Sequence, residues 1–173
     1  MFAKKRSAIT NHLKLFTTSF MLLLLIGCGF SLRGNIDIPL EARSVWLVLE
    51  NSKNTALFRQ FKALAVTNDL LLDENADNRI IISRSSFRRI TTTRNSSAGV
   101  DEYTLRGELT FNIVGQDEQL IATNLNAFAE RTFQYDANDA AASNSREAFL
   151  SKELRSELAQ QILRQYSAHF KTK

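Results

Sequence analysis

The sequence concentrates its chemistry-bearing side chains in one run of arginines that contains no acid. The run extends from residue 78 to residue 100 and holds five guanidinium groups: Arg79, Arg84, Arg88, Arg89 and Arg94. Guanidinium groups bind phosphate oxygens through two parallel hydrogen bonds and are more weakly hydrated than ammonium groups. Apolar Phe87 and Ile90 flank two of these arginines. The run is therefore typical of a surface for an amphiphile with a phosphorylated head, although an edge strand with solvated charges shows the same pattern.

A second feature that could carry chemistry is Cys28, the only cysteine of the chain. It follows a basic start and a thirteen-residue apolar run, 15–27. This run is shorter than the about 20 residues that span a bilayer and is typical of a secretion signal. It ends in Leu25-Ile26-Gly27-Cys28, which resembles the lipobox of bacterial lipoproteins. We therefore expect cleavage before Cys28, and an S-diacylglycerol and an N-acyl lipid on it that anchor the protein to a membrane.

The residue after this cysteine and the charge balance indicate a compartment and a ligand class. Gly29, rather than an aspartate, follows Cys28, and the sorting rule of bacterial lipoproteins then favours the outer membrane, with the domain on its periplasmic side. The remaining 146 residues hold 18 basic and 18 acidic side chains, so no nucleic-acid partner is expected. Phosphorylated amphiphiles of that compartment include the lipid A part of lipopolysaccharide. Its candidate contacts are Arg84, Arg88, Arg89 and Arg94.

The sequence after residue 27 holds no recognisable combination of catalytic or metal-binding residues. His169 is the one histidine of this stretch, and no second cysteine accompanies Cys28, so a His/Cys metal site is excluded. The glycines are scattered and form no phosphate-binding loop. Carboxylate pairs such as Asp101 and Glu102 fall at predicted turns, where solvated charge explains them. We expect a protein that is not an enzyme and that has no cofactor besides its lipid.

The elements that must position the arginines follow from hydrophobic periodicity. Alternating or β-favouring apolar segments predict strands at 45–49, 79–94, 103–113 and 121–135. Apolar residues at helical spacing predict one helix at 55–72 and a second that begins at a capping box of Asn144 and Glu147, after a loop at 136–145. This order predicts an α+β fold with two helices packed on one face of a four-stranded, mainly antiparallel sheet. Residues 1–27 are then the signal, 28–44 an acylated and extended tether, and 45–173 a single domain.

Several short motifs along residues 28–173 carry a family resemblance. The most distinctive opens at the lipid site, Cys28-Gly29-Phe30-Ser31-Leu32-Arg33-Gly34, and is followed by Ile38-Pro39. The others are Arg94-Asn95, Glu102-Tyr103-x-Leu105, Arg131-x-Phe133-x-Tyr135-Asp136 and a terminal helix containing Glu147. Together they make the chain resemble the LptE family of lipopolysaccharide-assembly lipoproteins.

The resemblance implies a fold, a partner and a ligand. Members have two helices on a four-stranded sheet, and they sit in the lumen of the outer-membrane β-barrel that inserts lipopolysaccharide. There they act as plug and assembly partner and bind lipopolysaccharide themselves. Arg94 falls where the family has a basic residue implicated in lipopolysaccharide contact. A second basic position of the family, before the last helix, falls at Ser143 here, with Arg146 as the nearest base.

Two other functions are compatible with the same sequence. One is a periplasmic lipoprotein subunit of another secretion or lipid-transport complex, which would use the sheet as a docking surface. The other is a carboxylate-dependent hydrolase, against which the shortage of histidine and cysteine argues.

Overall fold

The computed structural model describes residues 36–49, 55–94 and 100–171, and for residues 94, 100 and 101 the backbone course only. The described part holds five strands: β1 (Ser44–Leu49), β2 (Leu71–Leu72), β3 (Asn78–Arg94), β4 (Val100–Val114) and β5 (Leu120–Gln134). Two helices accompany them, α1 (Thr55–Thr67) and α2 (Ala140–Lys171). Short 3-10 turns lie at Leu40–Ala42, Gln116–Glu118 and Ala137–Asp139.

The strands form one mixed sheet in the order β2-β1-β3-β4-β5. β1 pairs in parallel with β2 and β3, because α1 carries the chain back to the end of the sheet where β1 began. β3, β4 and β5 pair antiparallel. The α+β class with two helices is confirmed, whereas the expectation of four mainly antiparallel strands is wrong. The two-residue β2 is too short to leave an alternating pattern, and its leucines continue the apolar spacing of α1, which ends at Thr67 rather than at residue 72.

The core under α2 is built on small residues of the central strands. The register aligns Phe87 of β3, Gly107 of β4 and Ala129 of β5 across the sheet. A Cβ atom at Gly107 would lie 2.6 Å from a methyl group of Leu154 and 2.7 Å from one of Leu158, both on α2. The missing side chain therefore lets α2 approach the sheet closely.

α2 begins at Ala140, before the predicted capping box. Asp139 accepts a hydrogen bond from the backbone N–H of Ala142 at 3.1 Å and caps the helix. The buried hydroxyl of Ser143 accepts from the backbone N–H of Asp136 at 3.0 Å and fixes the chain that enters the helix. The predicted loop at 136–145 is therefore largely helical, because its alanines have the highest helix propensity.

Residues 36–44, assigned to the tether from the sequence, are packed against the C-terminal end of α2. The hydroxyl of Tyr166 donates to the carbonyl oxygen of buried Ala42 at 2.9 Å, and burial raises the pKa of this tyrosine. The hydroxyl of Ser167 donates to the carbonyl oxygen of Asp37 at 2.7 Å. The compact unit therefore begins within the predicted tether.

The close seating of α2 generates a stability prediction. Gly107→Val places a branched side chain against Leu154 and Leu158, and we expect it to lower the free energy of unfolding by about 1–3 kcal/mol through overpacking. The matched control is Thr110→Val on the uncovered face of the same strand, for which the expected change is within about 0.5 kcal/mol. Urea denaturation followed by circular dichroism measures both. A Gly107→Val protein as stable as the control would show that the helix does not depend on this glycine.

Candidate functional site: the arginine half of β3

The candidate arginines lie along the outer half of β3. Residues 78–82 of this strand pair with β1 on one side, and residues 79–82 also pair with β4 on the other. Beyond residue 82, β3 pairs with β4 alone among the strands of the described ranges. This outer half carries Arg84, Arg88, Arg89 and, at its end, the backbone of Arg94. Within the described ranges, the outer half of β3 is thus an unpaired sheet edge that leads to one end of the sheet.

The alternation of the strand divides these arginines between the two faces of the sheet. Arg84 pairs with Thr110 and Arg88 with Arg106, positions that α2 does not cover. Arg89 pairs with buried Leu105, on the face that α2 covers. The structure therefore does not gather the predicted residues into one pocket, and the side chain of Arg94 lies outside the described part.

The uncovered face is a network of charged and hydroxyl groups. Arg88 forms an ion pair with Glu108 at 3.4 Å, and Arg106 forms one with Glu130. Nearby threonine hydroxyls form hydrogen bonds across three strands: Thr92 with Thr104 at 2.8 Å and Thr104 with Thr132 at 2.9 Å. The Arg106 guanidinium lies 5.7 Å from the ring centre of Phe128, which is 48% exposed. The face is polar, as the sequence predicts, and it carries the exposed ring of Phe128 on the edge strand β5.

Arg89 joins the sheet to the first turns of α2. Its guanidinium lies 2.8 Å from the carboxylate of Glu147 and 4.5 Å from the ring centre of Tyr103. The hydrogen bond to Glu147 and the charge of that carboxylate raise the pKa of Arg89. Tyr103 in turn packs against the rings of Phe133 and Tyr135, with centroids 5.9 and 5.5 Å away. The Arg89 side chain remains 46% exposed, so its outer edge is open to a ligand.

An open cleft of about 640 Å³ lies where β5 leads into α2. Its lining combines aromatic, polar and basic side chains: Gln134, Tyr135, Asp136, Ala142, Ser143 and Arg146. Gln134 pairs with Glu102 at the start of β4, and Arg94 pairs with Val100, so the cleft and the β3–β4 hairpin share one end of the sheet. The hydroxyl of Ser143 is occupied by hydrogen bonds to the backbone of Asp136. Arg146 is therefore the basic group nearest to the position where the family resemblance places a second basic residue.

The remaining sequence-based candidates are placed as follows. Cys28 lies outside the described residues. In the described ranges, no group of three histidine, cysteine or acidic side chains is arranged to hold a metal ion. His169 contacts the carbonyl oxygen of Gln165 at 2.8 Å on α2. None of the helices in these ranges is long and apolar enough to cross a membrane.

Fold and site together define a small α+β domain of a kind found among bacterial lipoproteins. A minor lipoprotein from Acinetobacter baumannii shares 28% sequence identity with the chain, with a TM-score of 0.63 over 76% of this chain and 96% of that one. The fold also occurs in a lipoprotein B from Nitrosomonas europaea, at 20% identity and a TM-score of 0.67 over 83% of this chain and 93% of that one.

Residues 47–166 match the model of the lipopolysaccharide-assembly family LptE, and the chain belongs to this family. The LPS-assembly lipoprotein LptE of Yersinia pestis is 28% identical over 150 residues, which cover 83% of this chain and 70% of that protein. The same values hold for the LptE protein of Yersinia pseudotuberculosis. The family resemblance stated from the short motifs is thereby confirmed.

Proposed function

We propose that the protein is an outer-membrane lipoprotein that plugs, and helps to assemble, the β-barrel that delivers lipopolysaccharide to the cell surface. The protein binds lipopolysaccharide during this delivery and acts by binding rather than by catalysis. Its partners are an LptD-like barrel, lipopolysaccharide and the membrane in which the lipid on Cys28 is inserted. The observation that carries the proposal is the family match over residues 47–166, which includes the whole basic strand β3.

The arrangement of the basic groups supports the lipopolysaccharide part of the proposal. β3 presents guanidinium groups along an edge that ends beside an aromatic cleft, and lipid A combines phosphates with acyl chains. Arg88 and Arg89 hold carboxylates but are 58% and 46% exposed. Exposed pairs of this kind contribute about 0–1 kcal/mol, so a phosphate can replace the carboxylate at little cost.

Depletion of the protein in its own cells tests the delivery function. We expect lipopolysaccharide to stop reaching the surface while the secretion of other outer-membrane proteins continues, and the lipidated protein to co-purify with a β-barrel. Normal surface lipopolysaccharide combined with a secretion or phospholipid defect would contradict the proposal and favour a subunit of another transport complex.

Arg94→Ala tests the ligand contact at the end of β3. A charge-assisted hydrogen bond contributes about 1.5–3 kcal/mol, so we expect lipopolysaccharide to bind roughly tenfold more weakly. The free energy of unfolding should change by less than about 0.5 kcal/mol, because Arg94 is the last residue of β3 and lies beyond the buried core. Arg94→Lys should restore only part of the affinity, because an ammonium group is a point charge and not a fork.

The control for this measurement is Arg59→Ala, which removes the same charge from the exposed side of α1. Titration of the purified proteins with lipopolysaccharide at constant salt measures all variants, including the double variant Arg88→Ala/Arg89→Ala. Unchanged affinity in both Arg94→Ala and the double variant would remove β3 from the binding site and leave the plug role alone.

Cys28→Ser tests the anchor. Without the thiol no diacylglycerol can be attached, and the peptidase of the lipoprotein pathway acts after lipid transfer, so we expect an uncleaved and unacylated precursor. Mass spectrometry of the membrane fraction distinguishes this precursor from the mature lipoprotein, with Ser31→Ala as the processed control. Normal cleavage of the Cys28→Ser protein would refute the lipoprotein assignment.

A further inference from the structure

A second and smaller cavity lies between the outer half of β3, β4 and α2. Its volume is about 160 Å³, and its lining contains Phe87, Leu105 and Leu154 together with four arginines. Of these, Arg89 and Arg155 belong to the side that α2 covers, whereas Arg88 and Arg106 hold their ion pairs on the opposite face of the sheet. Glu147 is the acidic residue of the lining. The cavity shares no lining residue with the open cleft at the end of β5.

Arg155 of α2 occupies an unusual environment in this cavity. Its guanidinium stacks over the ring of Phe87, with 4.8 Å between the guanidinium carbon and the ring centre. Nη1 donates to the carbonyl oxygen of Ser151 at 2.8 Å, whereas Nε is buried and makes no hydrogen bond to any described residue. A buried donor without an acceptor costs about 1–3 kcal/mol, and burial lowers the pKa of Arg155.

The charges of the lining are unevenly matched. Arg88 pairs with Glu108, Arg89 with Glu147 and Arg106 with Glu130. In contrast, no described carboxylate lies within ion-pair distance of Arg155. The cavity is thus lined by one guanidinium, that of Arg155, which is partly desolvated and has no counter-ion among the described residues.

The size and chemistry of the cavity define what it can hold. Pockets for drug-sized ligands begin at roughly 300 Å³, so a cavity of about 160 Å³ suits a small group and not a sugar or a whole lipid head. Guanidinium groups select planar or tetrahedral oxyanions through their fork of donors. The carboxylates of Glu108 and Glu130 already hold the neighbouring arginines.

We propose that this cavity binds one phosphate-class oxyanion, with Arg155 as its principal counter-charge and Arg89 as a second donor at its rim. The phosphate can be free in solution or carried by a lipid. A lipid as the source of this phosphate rests on the lipopolysaccharide binding proposed above. The oxyanion site itself does not depend on that proposal. Phe87 and Leu105 form the apolar wall against which the stacked guanidinium is held.

The test observes the Arg155 guanidinium directly. The lipidated full-length protein, labelled with ¹⁵N at arginine Nε and held in a non-ionic detergent, is titrated with inorganic phosphate at constant ionic strength. We expect the Arg155 Nε–H resonance, assigned by its loss in Arg155→Lys, to shift and saturate as phosphate binds to the guanidinium. The resonance of Arg164, exposed on the same helix and outside this cavity, should stay in place.

Matched variants separate binding from folding. Arg155→Gln should raise the phosphate concentration at half-saturation, read on the Arg89 Nε–H resonance, by on the order of tenfold, and Arg164→Gln should leave it unchanged. Arg155→Met should unfold at a urea concentration close to that of the unaltered protein, because removal of the buried, unpaired Nε–H offsets the lost hydrogen bond from Nη1 to Ser151 and the lost stacking on Phe87. An Arg155 resonance that does not shift when phosphate is added would contradict the proposed oxyanion site. Arg155 would then have only a structural role, as the stacking partner of Phe87.

Addition of lipopolysaccharide in place of phosphate identifies the source of the oxyanion. Movement of the same Arg155 resonance, abolished by enzymatic removal of the lipid A phosphates, supports a lipid-borne phosphate. A response to inorganic phosphate alone supports the oxyanion site with a free ligand. If lipopolysaccharide binds to no surface of the protein while the phosphate response persists, the proposed function fails and the oxyanion site stands.

Discussion

The contact between α2 and the small residues of β4 and β5 is the constraint on which the rest of the domain depends. Gly107 and Ala129 lie side by side under the helix, and the leucines at 154 and 158 fill the space that larger side chains would take. Fully burying one leucine contributes about 1.5–3 kcal/mol, so a helix held further from the sheet would lose much of the core. The helix can therefore sit in only one position along the strands.

That position determines what the helix presents to each end of the sheet. α2 has 32 residues and is about 48 Å long. Its first turns place Glu147 against Arg89 and, two turns later, Arg155 over Phe87. Its last turns hold the segment before β1 through Tyr166. A single rigid element thus connects the basic end of the molecule with the segment that follows the predicted anchor.

The sequence predicts the parts of this arrangement that repeat along the chain. The alternation in β4 and the four-residue spacing of leucines in α2 predict the buried face of the strand and that of the helix. The run of arginines without acidic residues predicts the basic strand β3. Three features carry no such signal. β2 has only two residues, too few to show an alternating pattern. The start of α2 depends on Asp139, which caps the helix by accepting a hydrogen bond from a backbone N–H, and no second side chain marks this position. No pattern in the sequence places Arg155 in a cavity. Arg155 follows Leu154 at the margin of the apolar stripe, which is the one feature of the sequence that marks it as partly buried.

The pairing of the two ends of the folded domain affects how the domain forms. Tyr166 and Ala42 are separated by 124 residues, and Ser167 and Asp37 by 130. Contacts of such long range have the greatest loop-closure entropy to overcome and slow the folding of small domains. The last helix must also be present before the core under it can be completed. A chain that emerges from its N-terminus consequently stays open until nearly all of it has emerged, because the segment at 36–44 waits for the last helix.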